Sequence, residues 1–248
     1  MLQPISAETA SRMAALVIGP PGIGKTSLMR SLMGQEFDPA QGGWIQTGNP
    51  VGRVCMLSAE SGLLCVRDLV QAGYIEGFNI RNLGEFKEAL QLLSMPESQQ
   101  KYQWIFIDSL TEIASRCVEA MKAKYPDKKD SFPMWGEYSD TMTALIKAFR
   151  DLVAYNVVFS CLDDIDKDEL NRRFVGPAIE GKGVKQRLPS YFDEVLYLTQ
   201  FTNDQGIPYR AFVCQPTDKL QAKDRSGKLF PIEKPCLRNV YQKIIGGN

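Results

Sequence analysis

The segment GPPGIGKT at residues 19–26 constrains this chain more than any other stretch of it. It satisfies the pattern G-x-x-x-x-G-K-[ST], and each part of that pattern has a physical reason. Gly19, Gly22 and Gly24 let the backbone curl so that successive amides point at phosphate oxygens. A helix starting near Lys25 adds the positive end of its dipole. The expected nucleotide contacts are therefore Gly19, Pro20, Pro21, Gly22, Ile23, Gly24, Lys25, Thr26 and Ser27. Lys25 reaches the β- and γ-phosphates of ATP, and the Thr26 hydroxyl holds Mg2+. The context agrees with the motif. An apolar run, AALVI at 14–18, precedes the loop as a buried strand, and Leu28, Met29, Leu32 and Met33 mark one helical face behind it, stopped at Gly34.

Two carboxylates complete the expected site. WIFIDS at 104–109 reads as a buried strand with Asp108 at its tip, placed to hold the magnesium shell with Thr26. The strand RVCMLSAE ends on Glu60, and in a parallel sheet its carboxyl end shares an edge with the phosphate loop. A carboxylate there positions and polarises an attacking water.

The remaining pattern alternates strands and helices. Leu83 to Leu93 fits a helix with Phe86, Ala89, Leu90 and Leu93 on one face and an Asn82/Glu85 capping pair. Ser109 and Glu112 open another helix, with Leu110, Ile113, Ala114 and Cys117 toward the core. A polar break, YPDKKDSFP, leads to a long helix with Tyr138, Met142, Leu145, Ile146, Phe149, Leu152 and Val153 apolar. Strands follow at 156–162, 193–200 and 209–215, the last two joined by a turn at Asn203 to Gly206, while Gln41 to Gly52 reads as a glycine-rich loop. This order predicts an α/β fold: a mostly parallel central sheet flanked by helices, with a C-terminal antiparallel strand pair. It reads as one domain over 1–248, with its core at about 12–230.

Composition narrows the chemistry. Lys plus Arg equals Asp plus Glu at 29 each, so any nucleic-acid binding has to come from a local patch. The chain has no histidine, which rules out a Ser-His-Asp or Cys-His site, and its six cysteines are scattered without a zinc-type cluster. Reduced cysteines in apolar strands, the lack of a secretory pattern at the N-terminus and the lack of an apolar run near about 18 residues predict a cytoplasmic protein with no membrane span.

Taken in order, the motifs resemble the RecA-like P-loop ATPases, particularly the phage-encoded proteins that anneal single-stranded DNA. The likeness runs from about Ala14 to Leu229 through GPPGIGKT, SAESG at 58–62, FIDSLTEI at 106–113, Trp135-Gly136, VVFSCLDD at 157–164, LPSYFDEVLYL at 188–198 and AKDRSGKL at 222–229. It implies that Glu60 activates the water. It further implies that Lys223 and Arg225 enter a neighbouring subunit's site as fingers in a homo-oligomeric ring or filament, and that a single-strand binding protein is a partner. For a phage protein, the compartment is the host cytoplasm. One departure stands out. Recombinase relatives carry Gln or His at the end of the strand FSCL, where this chain offers Ser160 or Asp163.

The same resemblance assigns a mobile DNA-contacting loop to the segment after that strand. Arg172, Arg173, Lys182, Lys185 and Arg187 stand there against Glu180, with Phe174 available to stack on a base and Gly176, Gly181 and Gly183 giving mobility. The preceding acidic run, DDIDKDE, lacks the glycine and the final glutamate of a calcium loop, because Glu169 and Val175 occupy those positions; it reads as a solvated loop. Two other functions fit the motifs: an annealing protein whose ATP site is structural or regulatory, and a small-molecule P-loop kinase with 171–188 as its lid.

Overall fold

The computed structural model describes residues 11–60, 62–126, 131–167 and 171–246. The N-terminal segment, Ser61, part of the polar break, and Asp168 and Glu169 of the acidic run lie outside the described residues. The first strand, β1 (Ala14–Gly19), is buried along its whole length. It feeds the phosphate loop, a 3-10 turn (Thr26–Leu28) and α1 (Met29–Leu32). The apolar face expected here is buried, and Gly34 ends the turn at φ +75°. The α-helix is shorter than expected because its first turn, Thr26–Leu28, is 3-10; it stops at Gly34 as expected, and the chain reverses there into a hairpin, β2 (Gln35–Asp38) and β3 (Gly43–Gln46). Residues 41–46, read from sequence as part of a loop, include that second strand.

Next come β4 (Val54–Ser58), α2 (Arg67–Gln71), β5 (Ile75–Asn79), α3 (Leu83–Leu93), α4 (Pro96–Lys101), β6 (Trp104–Asp108) and α5 (Leu110–Lys124). Both predicted caps form. Asn82 Oδ1 accepts from the Glu85 amide at 3.0 Å, and Ser109 Oγ accepts from the Glu112 amide at 3.3 Å. The long helix is α6 (Phe132–Arg150); it stops before Leu152 and Val153, and Val153 is 58% exposed rather than part of the core face. The chain continues through β7 (Asn156–Lys167), β8 (Arg173–Pro177), α7 (Lys182–Arg187), β9 (Glu194–Thr202), β10 (Pro208–Val213), β11 (Lys223–Asp224), β12 (Ile232–Glu233) and α8 (Leu237–Ile245).

The main sheet runs in the order β12-β10-β9-β1-β7-β6-β4-β5. From β9 to β5 every pairing is parallel, while β10 and β11 pair β9 in the antiparallel sense. This is the expected class: a mostly parallel sheet covered on both faces, closed by antiparallel strands. Alternation splits the core in two. Leu16, Ile18, Leu57, Ile107 and Phe159 pack with Phe86, Ile113, Tyr138 and Phe149 on one face. Val17, Met56, Phe106 and Val158 pack with Met29, Leu32, Leu69, Leu237 and Val240 on the other. Because the central strands are parallel, Gly19, Ser58 and Asp108 all arrive at one edge, which is where the site is built.

At the opposite end of β9 lies a buried carboxyl. Glu194 pairs across to Ala15 and Asp224 and is 1% exposed. Burial first, then the Asp224 carboxylate, push its pKa up to about 8. The folded chain therefore holds a proton that the unfolded chain releases above its ordinary value of 4.5. Stability gained from this group is complete below that value and is lost as pH rises toward 8, at a slope of up to about 1.4 kcal/mol per pH unit. Urea unfolding between pH 5 and 8 is expected to show this decline, and Glu194→Gln to flatten it; equal slopes in both proteins would refute the assignment.

Candidate functional site: a P-loop facing two carboxylates

β1 ends against β9 with no space for a side chain. A Cβ on Gly19 would lie 2.5 Å from the Leu198 carbonyl oxygen. The chain then turns, with Gly22 at φ +74° and Gly24 at φ +104°, in the region that favours glycine. The Ile23 amide closes the turn on the Pro20 carbonyl at 3.4 Å. Lys25 is 8% exposed and folds back over this turn, its Nζ donating to the Gly19 carbonyl at 2.7 Å and the Pro20 carbonyl at 3.0 Å. Burial lowers its pKa, opposed by the charges of Asp108, Glu60 and Asp163.

Across the sheet edge, Thr26 Oγ1 donates to Asp108 Oδ2 at 2.6 Å, and Ser160 Oγ donates to Asp108 Oδ1. Asp108 is 3% exposed, and burial raises its pKa against the pull of those two hydroxyls. The two oxygen donors expected for magnesium are thus in direct contact. Both are hard oxygen ligands of the kind Mg2+ takes, and a cation there would offset the burial cost of the carboxylate. Glu60 stands beside them, its Oε1 accepting from Ser109 Oγ at 2.5 Å. Ser109 so serves twice, capping α5 and orienting Glu60. The structure therefore brings Lys25, Thr26, Asp108 and Glu60 together, and the sequence reading missed only the hydroxyls that hold the carboxylates. The two polar groups at the end of FSCL are both engaged: Ser160 with Asp108, and Asp163 as acceptor from the Tyr197 hydroxyl at 2.8 Å.

The basic segment is not the loop that was expected. β7 continues past Leu162 and pairs β8 antiparallel from Asp163↔Pro177 to Lys167↔Arg173, so Asp164 and Asp166 sit on a strand. Arg173 and Phe174 lie on β8, and Lys182, Lys185 and Arg187 on α7. Mobility is replaced by pairing: Gly176 is buried in the hairpin, and Gly181 packs where a Cβ would meet Tyr138 at 2.8 Å. Lys185 bonds Asp164 at 2.8 Å and reaches Asp166 at 3.2 Å, so its charge is neutralised within the chain. Phe174 is half-buried, whereas Arg172, Arg173, Lys182 and Arg187 are exposed.

Lys223 and Arg225 lie at the amino end of β9, away from the phosphate loop. Lys223 Nζ donates to the Phe192 carbonyl at 2.5 Å, and Arg225 Nη1 pairs Asp193 at 2.9 Å. Neither reaches the nucleotide site of its own chain.

A family model described as AAA domain matches residues 11–226. No curated protein matches the chain in sequence. Among solved structures, the RadB recombinase is similar at 12% identity and a TM-score of 0.43, covering 86% of this chain and 90% of that one. The flagellar accessory protein FlaH from Methanocaldococcus jannaschii is similar at 10% identity and a TM-score of 0.44, covering 80% and 76%. With the family match spanning most of the described chain and a P-loop ATPase site at the carboxyl edge of the sheet, this chain belongs to the AAA domain family.

Proposed function

We propose that this chain hydrolyses ATP with Mg2+, binds single-stranded DNA and assembles with copies of itself to support annealing or recombination. The observation that carries the nucleotide part is the Thr26–Asp108 hydrogen bond beside a glycine-bent turn that holds Lys25. In this reading Lys25 and the loop amides hold the triphosphate, Thr26 and Asp108 hold the metal, and Glu60 orients water. Thr26 and Asp108 would hold the metal, which would supply positive charge against the phosphates.

The DNA part rests on the exposed cations Arg172, Arg173, Lys182 and Arg187, carried by the hairpin and helix that follow β7. Neutralising three or four phosphates gives a slope of log K against log salt of about −2 to −3 for a single strand. Binding of a labelled oligonucleotide across a salt series measures it. Lys182→Ala and Arg187→Ala should each make the slope shallower, whereas Lys185→Ala should leave it nearly unchanged, because its charge is already paired. ATP turnover that rises with single-stranded DNA, and loses that rise as salt increases, supports both sites together; turnover indifferent to DNA at every salt refutes the coupling.

Lys223 and Arg225 fit fingers that act only on a neighbour, since their own site is out of reach. Mixing Arg225→Ala with Lys25→Ala subunits should restore hydrolysis at the mixed interfaces, and a mixture as inactive as its parts would end that assignment. One observation favours a second reading, in which the ATP site is regulatory: Ser160 is committed to Asp108, so the strand end offers no polar group free to report DNA to the phosphates. Annealing that proceeds equally without ATP would decide for it.

A further inference from the structure

The amino end of β9 is crossed by a strap, Lys223 to Leu229, fastened by two residues of strand pairing, Lys223↔Val195 and Asp224↔Glu194. The turn that follows is wound around one carboxylate. Asp224 Oδ1 accepts from Ser226 Oγ at 2.6 Å and from the Gly227 amide at 2.9 Å, and Oδ2 accepts from the Leu229 amide at 3.0 Å. Lys223 and Arg225 ride on this strap, one donating to the Phe192 carbonyl and the other paired with Asp193.

Glu194 stands directly across from Asp224 and is buried. Its Oε1 accepts from the Ser226 amide at 3.3 Å, but its Oε2 is buried without a donor among the described residues. A carboxylate oxygen left in that state is costly. A proton turns that oxygen into a donor, and Asp224 is the acceptor beside it. The electrostatics agree with the geometry. Burial first, then the Asp224 charge, push Glu194 up to about 8, whereas Asp224 is lowered, its own burial outweighed by the Ser226 hydroxyl and the Leu229 amide. The two carboxyls thus hold one proton between them. The other ionisable groups around Glu194 leave this unchanged. Asp193 is spent on Arg225 and Lys223 on the Phe192 carbonyl, and burial pushes the Cys214 thiol up to about 12.

We propose that the Glu194–Asp224 pair is a proton-dependent latch on the strap, closed while Glu194 carries its proton and opened by its loss. With Glu194 ionised, two carboxylates face each other across β9 and β11, and like charges directly opposite destabilise a strand pair. The strap is the part that gives way. β9 keeps β1 on one side and β10 on the other, whereas β11 has two paired residues. Opening releases Lys223 and Arg225 from Phe192 and Asp193 together, so one proton sets whether both cations are held or free. The latch rests on the carboxyl pair alone and stands whether or not those cations serve a neighbouring subunit.

Amide hydrogen exchange of the full chain between pH 5 and 9, corrected for the intrinsic rate at each pH, tests this at the Gly227 and Leu229 amides that Asp224 holds. The closed strap keeps a proton that the open one releases above the ordinary value of 4.5. Protection of both amides should therefore fall about tenfold per pH unit up to about 8 and level off beyond it. At every pH they should exchange faster than the amides of β1, which open only with the whole sheet. In Glu194→Gln the amide group donates to Asp224 at any pH, so the fall should vanish while protection stays high. Protection that is flat across this range in the parent would overturn the latch, and that arm needs no variant to fold. So would a fall that persists in Glu194→Gln, or strap amides that exchange no faster than those of β1, which would make the opening global.

Discussion

Lys25→Ala is expected to abolish the heat of titration with Mg·ATP while the protein stays folded. The ammonium is buried over the turn and now donates to two carbonyls of the loop itself. A triphosphate offers charged acceptors in their place, and bonds to charged groups are worth about 1.5–3 kcal/mol each. Losing two of them removes about 3–6 kcal/mol, or an affinity factor of about 10²–10⁴. The three carboxylates whose charges support Lys25 (Asp108, Glu60 and Asp163) would then face the phosphates without a cation among them. Lys25→Arg should not rescue binding, because a planar fork does not fit a turn shaped around a compact ammonium. Circular dichroism of the variant guards against simple unfolding. A folded Lys25→Ala protein that still binds ATP at parental affinity would refute the phosphate site.

The parts of this molecule that could be read from its residues are those whose signal is local. β1, β4 and β6 are runs of apolar residues buried on both faces, so their composition alone identifies them. The helices beginning after Asn82 and Ser109 announce themselves by caps that reach three residues forward. Thr26 and Asp108 are 82 positions apart, yet each is placed by a local rule, one after a glycine turn and the other at a strand tip. What escaped was structure made by distant partners. The β7–β8 hairpin carries Asp164, Asp166 and Arg173, residues that look like solvated loop, and it exists because register and the Lys185 ion pairs hold it. The β2–β3 hairpin hides behind Pro39 and the Gly42–Gly43 pair, and it is fixed by Lys234 and Arg238 from the far end of the chain. α8 has an apolar stripe of its own, but its pairing with the α1 face, through Leu237 and Val240, is a tertiary fact. Even the orientation of Glu60 depends on Ser109, whose cap was legible and whose second bond was not.

Glu60→Gln is expected to keep ATP bound and slow its hydrolysis by about 10²–10⁴, the range by which a positioned general base accelerates a reaction. The substitution is nearly isosteric, and the amide oxygen can still accept from Ser109 Oγ, so the side chain has reason to stay where it is. What it loses is charge and basicity: an amide neither polarises a water through a full negative charge nor receives its proton. Binding should therefore change little while turnover falls, since the loops and the metal pair do not involve this group. Ser109→Ala provides the complementary case. It leaves the Glu60 carboxylate intact but releases it, and it uncaps α5 at a cost of about 1 kcal/mol. Turnover should fall less than in Glu60→Gln, and Ser109→Thr, which restores a hydroxyl, should recover much of it. A Glu60→Gln protein that turns over ATP at the parental rate would remove Glu60 from the reaction. Asp163, the other carboxylate whose charge is felt at Lys25 without being spent on Thr26, would then stand next in line to orient the water.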